Sequence, residues 1–469
     1  MLKPTIGLEI HAELLTQSKV FCTCPASFGG SENSRCCPVC SGLPGTLPVL
    51  NQKAVEFIIR AGMATECDIS LFTKWDRKNY FYPDLPKAYQ ISQMPRPVCL
   101  NGKVRLKSGK VIRINRIHLE EDAGKLTHEG GATLADYNRC GIPLIELVTE
   151  PDFASAEEVT EFVAEIRARY MYCGISDGKM EQGSLRVDVN ISLADEHADT
   201  LGTRSEIKNL NSLRSIARAI EYETHRQGEI LGKGGKVTQE TLRFSDGTGE
   251  TSSLRSKEDA HDYRYFPDPD IPPVLITEEE IAVIRGTMPE MPSSRYDRYV
   301  NKCGIPHKDA ENIVADKHLS DFFDEAATLL DEPRKIANYL LSELLYRINL
   351  GEGTTDNLPF TPADFVRVIE LVEGGKVSRS HLKDILREML ATGSKPDSIC
   401  EQNNYLIKED LSLVSDTIDK ILAENVAAVA QLKNGEQKVF GFLMGKANSL
   451  LKGAATPKII KETLEKKLK

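Results

Sequence analysis

Ile6-Gly7-Leu8-Glu9-Ile10-His11-Ala12-Glu13-Leu14 alternates with a period of two, placing Ile6, Leu8 and Ile10 on one side of the chain. That is the signature of a half-buried β-strand, here spanning Met1 to Leu15. Glu9 and His11 are two residues apart, so both project from the face opposite the apolar one. Working outward, a turn-rich Pro44–Pro48 segment leads into a helix expected from Asn51 to Asp68, with Ala54, Phe57, Ile58 and Ala61 on one face. Lys103–Ile117 reads as a hairpin around Ser108-Gly109, where Val104 and Leu106 answer Ile112 and Ile114. Ser155 and Glu158 fit a capping box that opens a helix toward Cys173. Leu185–Ile191 is a further strand and Ser212–Gln227 a further helix.

Past Pro289-Glu290-Met291-Pro292 the pattern changes to helices, expected over Asp316–Leu330, Lys335–Asn349, Pro362–Glu373 and Ser380–Leu390. A last helical set begins near Asp410, with Val414, Ile418, Ile421 and Leu422 at helical spacing, and ends in a lysine-rich tail. The expected fold class is α+β: a large mixed α/β domain over 1–292, an all-α domain over 293–405 and a small helical tail domain over 406–469.

The 469 residues suit two to four domains. A formal charge of −10 excludes a general nucleic-acid coat or a membrane-surface protein, though not a local basic face. No apolar run approaches the roughly 18 residues of a membrane span. Glu9, His11 and Glu13 break the sole candidate signal-peptide run, so a cytoplasmic location is expected. In that reducing compartment the 11 cysteines are expected as thiols or metal ligands.

Three constellations carry chemistry. Cys22-Thr23-Cys24 and Cys37-Pro38-Val39-Cys40 are separated by a loop of twelve residues. Four thiolates so paired suit a structural zinc ion, with Cys36 leaving open which sulfurs ligate; reduced surface thiols are the plainer alternative. Acids and imidazoles recur on strand-like segments: Glu9 and His11, then Glu120, Glu121 and Asp122 after His118, then Asp188, then Glu206. Carboxylates from separate strands are a usual way to hold Mg²⁺, although each alone also reads as a solvated strand face. The basic stretch 101–118 would put Lys103, Arg105 and Lys107 on one side, as a phosphate-contacting ribbon or simply a solvated face. Lys78-Asn79-Tyr80-Phe81-Tyr82-Pro83 offers ring faces and a cation suited to a nucleobase, or to ordinary loop packing. From Lys446 to Lys469 seven lysines face two glutamates. There is no Walker A loop, Rossmann fingerprint or hydrolase elbow.

Seven segments together resemble one family. They are Ile6–Leu14, Asp76–Asp84, His118–Lys125, Pro143–Asp152, Gly183–Asn190, Glu206–Ser212 and Asp262–Asp270. Ala337–Leu341 and Gly441–Gly445 match more loosely. The sequence is similar to the B subunits of the aspartyl/glutamyl-tRNA(Asn/Gln) amidotransferases. The resemblance implies an ATP-dependent carbon–nitrogen ligase whose cradle-like first domain phosphorylates the side-chain carboxylate of Glu-tRNA(Gln) and/or Asp-tRNA(Asn). Ammonia from the family's glutaminase, the A subunit, then displaces phosphate, and a small C subunit straps the other two together. By the same resemblance Glu9, His11, Glu121, Asp188 and Glu206 surround Mg²⁺, with Glu120 beside them at the ATP. His11, Glu121, Lys78 and Arg186 are the expected catalytic contacts, the last two to phosphate or carboxylate. Cys22, Cys24, Cys37 and Cys40 match a zinc site, and Lys446, Lys452 and Lys458 suit tRNA phosphates. Gln182 departs from the pattern, standing after Glu181 where a second acid is expected. The alternative from another class is a non-catalytic, tRNA-binding scaffold in the same kind of complex.

Overall fold

The computed structural model describes residues 2–198, 200–256, 262–407, 411–433, 438–451, 455 and 457–468. The chain divides into two compact units, Met1–Pro292 and Ser293–Lys469.

The first unit opens with β1 (Leu2–Glu13) and α1 (Gln52–Ala64), followed by β2 (Asp68–Ile69), β3 (Phe72–Thr73), β4 (Asp76–Asn79) and β5 (Tyr89–Ser92). The strands β6 (Cys99–Arg105) and β7 (Val111–Glu121) come next, then β8 (Lys125–Glu129), β9 (Ala132–Asp136), β10 (Pro143–Thr149) and α2 (Ala156–Tyr172). The unit continues through β11 (Leu185–Asp195), β12 (Ser205–Leu210), α3 (Leu213–Gly232), β13 (Glu240–Ser245) and β14 (Glu250–Ser256). It closes with β15 (Phe266–Pro267), β16 (Val274–Leu275) and α4 (Glu278–Gly286). Nine strands form one sheet in the order β14-β13-β12-β11-β1-β10-β7-β6-β2. All neighbours in it are antiparallel except β12 and β13.

The alternation in β1 survives into three dimensions. Ile6, Leu8, Ile10 and Ala12 are buried in the main core with the apolar sides of α1, α2 and α3, while Glu9, His11 and Glu13 stay half-buried. Phe162 of α2 is fully buried and meets Phe153 edge-on at 5.1 Å. Phe162→Ala is expected to destabilise the first unit by about 3–5 kcal/mol, read as a lower urea midpoint for its unfolding.

Several expected boundaries shift for local reasons. The first helix stops at Ala64 because Glu66 takes a left-handed φ of 54° and the chain re-enters the sheet at Asp68. Ser155 caps α2 by accepting from the Glu158 N–H at 3.3 Å. The reciprocal half of the box is displaced: the Glu158 carboxylate accepts instead from Ala154 N–H at 2.8 Å and from Lys110 at 2.7 Å. The hairpin forms, longer than expected at both ends. Three of its cations pair with acids, Arg113 with Asp152 at 2.7 Å, Lys110 with Glu158 at 2.7 Å and Lys103 with Glu66 at 3.5 Å, while Arg105 donates to the Gly109 carbonyl at 2.9 Å. That favours the solvated-face reading over a free phosphate ribbon.

Among the described residues the second unit is helical, apart from one isolated β-bridge between Val377 and Leu406. It runs through α5 (Pro292–Asn301), α6 (His307–Val314), α7 (Lys317–Leu329), α8 (Pro333–Tyr339), α9 (Tyr346–Asn349), α10 (Pro362–Glu373), α11 (Leu382–Thr392) and α12 (Pro396–Gln402). Four more follow: α13 (Leu411–Glu424), α14 (Val426–Lys433), α15 (Lys438–Leu450) and α16 (Pro457–Leu468). The helix expected over Lys335–Asn349 is interrupted by a π-wound stretch, Leu340–Leu345, that turns Leu340 and Leu344 into the core. No glycine or proline marks that change in the sequence. The apolar side chains form two clusters, one spanning Tyr299 to Cys400 and one spanning Val414 to Leu464. An α+β unit followed by helices is the fold class the sequence leads one to expect.

Candidate active site and metal-binding clusters

The sheet face opposite the helices gathers the polar groups, because strand register sets them side by side. Glu9 lies across from Asp188, and His11 across from Arg186 on one flank and Glu146 on the other. Glu146 in turn lies across from His118, and Asn190 across from Glu206.

Two groups of potential metal ligands result. In the first, carboxylate oxygens of Glu9, Asp188 and Glu206 lie within 4.8 Å of one another. Lys208 pairs with both Asp188 and Glu206, the latter at 2.8 Å, and Thr241 donates to Glu206 at 2.9 Å. Asn190 donates to Glu9 at 3.1 Å. Burial, then the charges of Glu146 and Asp188, push the Glu9 carboxyl above its ordinary range. Three acids so crowded repel one another, and a divalent cation that prefers oxygen ligands suits them.

In the second group, His11, Glu120 and Glu146 also lie within 4.8 Å of one another. His118 stands behind them, with Nε2 3.0 Å from Glu120 and 3.3 Å from Glu146. Burial works against a charged His118, but the carboxylates of Glu146 and Glu120 push it up to about 9. Gln90 and Ser92 donate to Glu120 at 3.1 and 2.8 Å, which fixes that carboxylate in place. Burial also works against a charged Lys78, yet the carboxylates of Glu120 and Glu146 hold its ammonium above the ordinary lysine value.

Glu121, expected with the metal acids, is turned the other way by the alternation of β7. Its carboxylate pairs with Lys87 and accepts the Ile91 N–H at 3.0 Å. The expected set of five is therefore not one cluster. Glu9, Asp188 and Glu206 come together, His11 joins Glu120, and Glu121 stands apart. Arg186, expected to meet phosphate or carboxylate, pairs with Asp122 at 2.9 Å. Burial and the Asp122 carboxylate push neighbouring Glu13 up to about 8. Glu146, Lys208 and Glu13 are site residues that the sequence patterns do not single out. The readable signal for Glu146 is a lone acid inside the apolar run Leu144-Ile145-Glu146-Leu147-Val148.

The sulfurs of Cys22, Cys24, Cys37 and Cys40 lie within 4.8 Å of one another, with Cys37 and Cys40 at 3.9 Å. Zinc–sulfur bonds of about 2.3 Å place tetrahedral thiolates about 3.8 Å apart, so the quartet fits zinc. Cys36 falls outside it, near Asn138 at 3.9 Å. The hydrogen bond from Cys22 leads the effects that push Cys40 down to about 4, helped by the Cys37 N–H and the charge of Lys19. Lys19 is fully buried, its Nζ 3.6 Å from Cys40 Sγ. Of the expected tRNA lysines, Lys458 is exposed, Lys446 reaches Asn425 at 3.1 Å, and Lys452 lies outside the described residues. Among the described residues no helix is long and apolar enough to cross a membrane.

A sheet with an acidic, imidazole-bearing face, followed by a helical unit, accords with two family matches. Residues 4–282 match the family described as GatB/GatE catalytic domain, and residues 321–468 match the GatB domain. The chain is 49% identical over 470 residues to the aspartyl/glutamyl-tRNA(Asn/Gln) amidotransferase B subunit of Ruminiclostridium cellulolyticum, covering 99% of this chain and 97% of that protein. A protein of the same description from Thermoanaerobacter pseudethanolicus is 46% identical over 467 residues, covering 99% and 98%. One from Myxococcus xanthus is 44% identical over 472 residues, also covering 99% and 98%. The chain belongs to the family of aspartyl/glutamyl-tRNA(Asn/Gln) amidotransferase B subunits.

Proposed function

We propose that this chain is the carboxylate-activating subunit of a tRNA-dependent amidotransferase. It uses ATP and Mg²⁺ to phosphorylate the side-chain carboxylate of Glu-tRNA(Gln), Asp-tRNA(Asn) or both. Ammonia from a glutaminase partner, the A subunit, then displaces phosphate, with a small C subunit joining the two larger chains. The observation that carries this reading is the pair of acidic groups side by side on one sheet face, Glu9–Asp188–Glu206 and His11–Glu120–Glu146.

A carboxylate attacking a triphosphate brings like charges together, so most of the protein's work is positioning and charge compensation. Bound magnesium would offset that charge, held by these six side chains. Lys78 and Lys208 stay protonated and add fixed positive charge, raised by the acids around them. His118, protonated near neutrality, orients Glu120 and Glu146 through its Nε2. The cysteine quartet would hold zinc with no open position, a structural role. Lys446 and Lys458 are the tail's described candidates for tRNA phosphates.

The test is amidation by the complex of all three chains, given ATP, Mg²⁺, glutamine and Glu-tRNA(Gln). Gln-tRNA should form, with ATP cleavage appearing only when mischarged tRNA is present. Asp188→Asn should lower the rate about a thousandfold, about 4 kcal/mol. No product from the wild-type complex, or an undiminished rate from the variant, would sink the reading.

A further inference from the structure

Beside the second acidic group stands a set of aromatic rings that the chemistry above does not use. Tyr80 and Tyr263 meet edge-on with centroids 5.6 Å apart, and Tyr263 meets Tyr265 at 6.0 Å. The Lys78 ammonium lies 4.7 Å from the centroid of Tyr263. Lys78 lies across from Gln90 in the β4–β5 ladder, and Gln90 donates to Glu120 at 3.1 Å, which brings the rings to the edge of that acidic group. At the tip of the loop after β4, Phe81 and Tyr82 are 82% and 55% exposed.

The two ring-bearing segments are far apart in sequence and fastened together by backbone. Asn79 N–H donates to the Tyr263 carbonyl at 2.9 Å, and its side-chain amide donates to the Arg264 carbonyl at 2.9 Å. Phe266 then pairs with Arg77 across the β15–β4 ladder. Arg264, between the two tyrosines, adopts a left-handed φ of 45°, a conformation that costs a non-glycine residue energy and persists only where its surroundings hold it. Exposed aromatic faces beside a cation are the usual platform for an unpaired base at the end of an RNA.

We infer that Tyr80, Phe81 and Tyr263, with Lys78 at their base, stack the 3′-terminal adenine of the aminoacylated tRNA. The inference rests on the function proposed above and names where its RNA substrate is gripped. Proximity decides between the two adenines the reaction involves. An aminoacyl side chain is a short tether, and the rings adjoin the acids that its carboxylate must reach. The triphosphate of ATP is longer and would carry its own adenine farther off. The open rim at Phe81 also suits the end of a polymer.

The test uses the complete complex and uncharged tRNA(Gln) carrying 2-aminopurine in place of its terminal adenine, whose fluorescence is quenched by stacking. Quenching is expected with the wild-type complex, to be lost with Phe81→Ala and Tyr263→Leu, and to be restored with Tyr263→Phe. In amidation assays the same losses should raise KM for Glu-tRNA(Gln) about tenfold and leave KM for ATP unmoved. Phe81 sits at an exposed loop tip, so its variant keeps the test decisive if Tyr263→Leu fails to fold. Quenching retained in Phe81→Ala, or a rise in KM for ATP in place of tRNA, overturns the inference. The fluorescence needs no turnover, so a complex that quenches yet makes no Gln-tRNA defeats the proposed function and spares the stacking site.

Discussion

Glu146→Gln is expected to raise the Mg²⁺ concentration for half-maximal amidation about tenfold or more, whereas Glu121→Gln leaves that midpoint where it was. The contrast follows from geometry. Glu146 Oε2 is 3.4 Å from His11 and 3.3 Å from His118, and one of its oxygens belongs to a compact group of three potential ligands. Removing that charge takes away one oxygen ligand and one of the two carboxylates that keep His118 protonated. Glu120, still held by Gln90, Ser92 and His118, is then the remaining carboxylate beside that imidazole. Glu121 spends its charge on Lys87 instead. Magnesium titrations of the two variants, read both by amidation and by thermal shift of the complex, decide the matter. A shifted midpoint for Glu121→Gln, with none for Glu146→Gln, would restore the set implied by resemblance.

Cys37→Ser is expected to abolish zinc retention, measured by elemental analysis of the purified chain. It should also lower the melting temperature of the first unit by roughly 5–10 °C. Residues 14–51 contain no strand or helix, only turns and one isolated bridge, Ser18 to Pro25. The loop's own bonds are turn-type, such as Lys19 N–H to the Cys24 carbonyl and Leu43 N–H to the Pro38 carbonyl, so zinc held by the quartet would add the tie between its two cysteine pairs. Buried Lys19 makes the loss worse. Its ammonium sits against Cys40, and without a metal-bound thiolate it becomes a poorly compensated buried charge. Limited proteolysis should cut the variant within 22–49 sooner than the wild type. A variant that keeps zinc and its melting temperature would show the thiols to be surplus.

The readable parts of this fold are those where a short period meets a single environment. β1 is legible because its apolar and polar faces alternate without interruption, and the same alternation sets Glu9 and His11 on one side. Glu206 and Asp188 are legible as strand acids, yet their meeting with Glu9 depends on β11 lying between β1 and β12, which no local pattern encodes. Glu120 and Glu121 show the limit from the other side. Two adjacent acids on a strand face opposite ways, and counting in twos from His118 selects Glu120. Resemblance places Glu121 at the metal, and register does not. The pairing of Asn79 with Tyr263 and Arg264 joins segments about 185 positions apart and has no sequence signal at all.

Glu9, His11 and Glu13 serve three different neighbourhoods, the two acidic groups and the Asp122–Arg186 pair, yet all three ride on β1. Their spacing is thereby a property of covalent backbone, graduated in steps of about 6.8 Å per two residues. Side-chain rotamers can drift with temperature or solvent, but a central strand clamped on both edges works as a ruler that hardly stretches. A one-residue deletion between Glu9 and His11 would then do more harm than a single substitution there, because the marks on its two sides would no longer share a face.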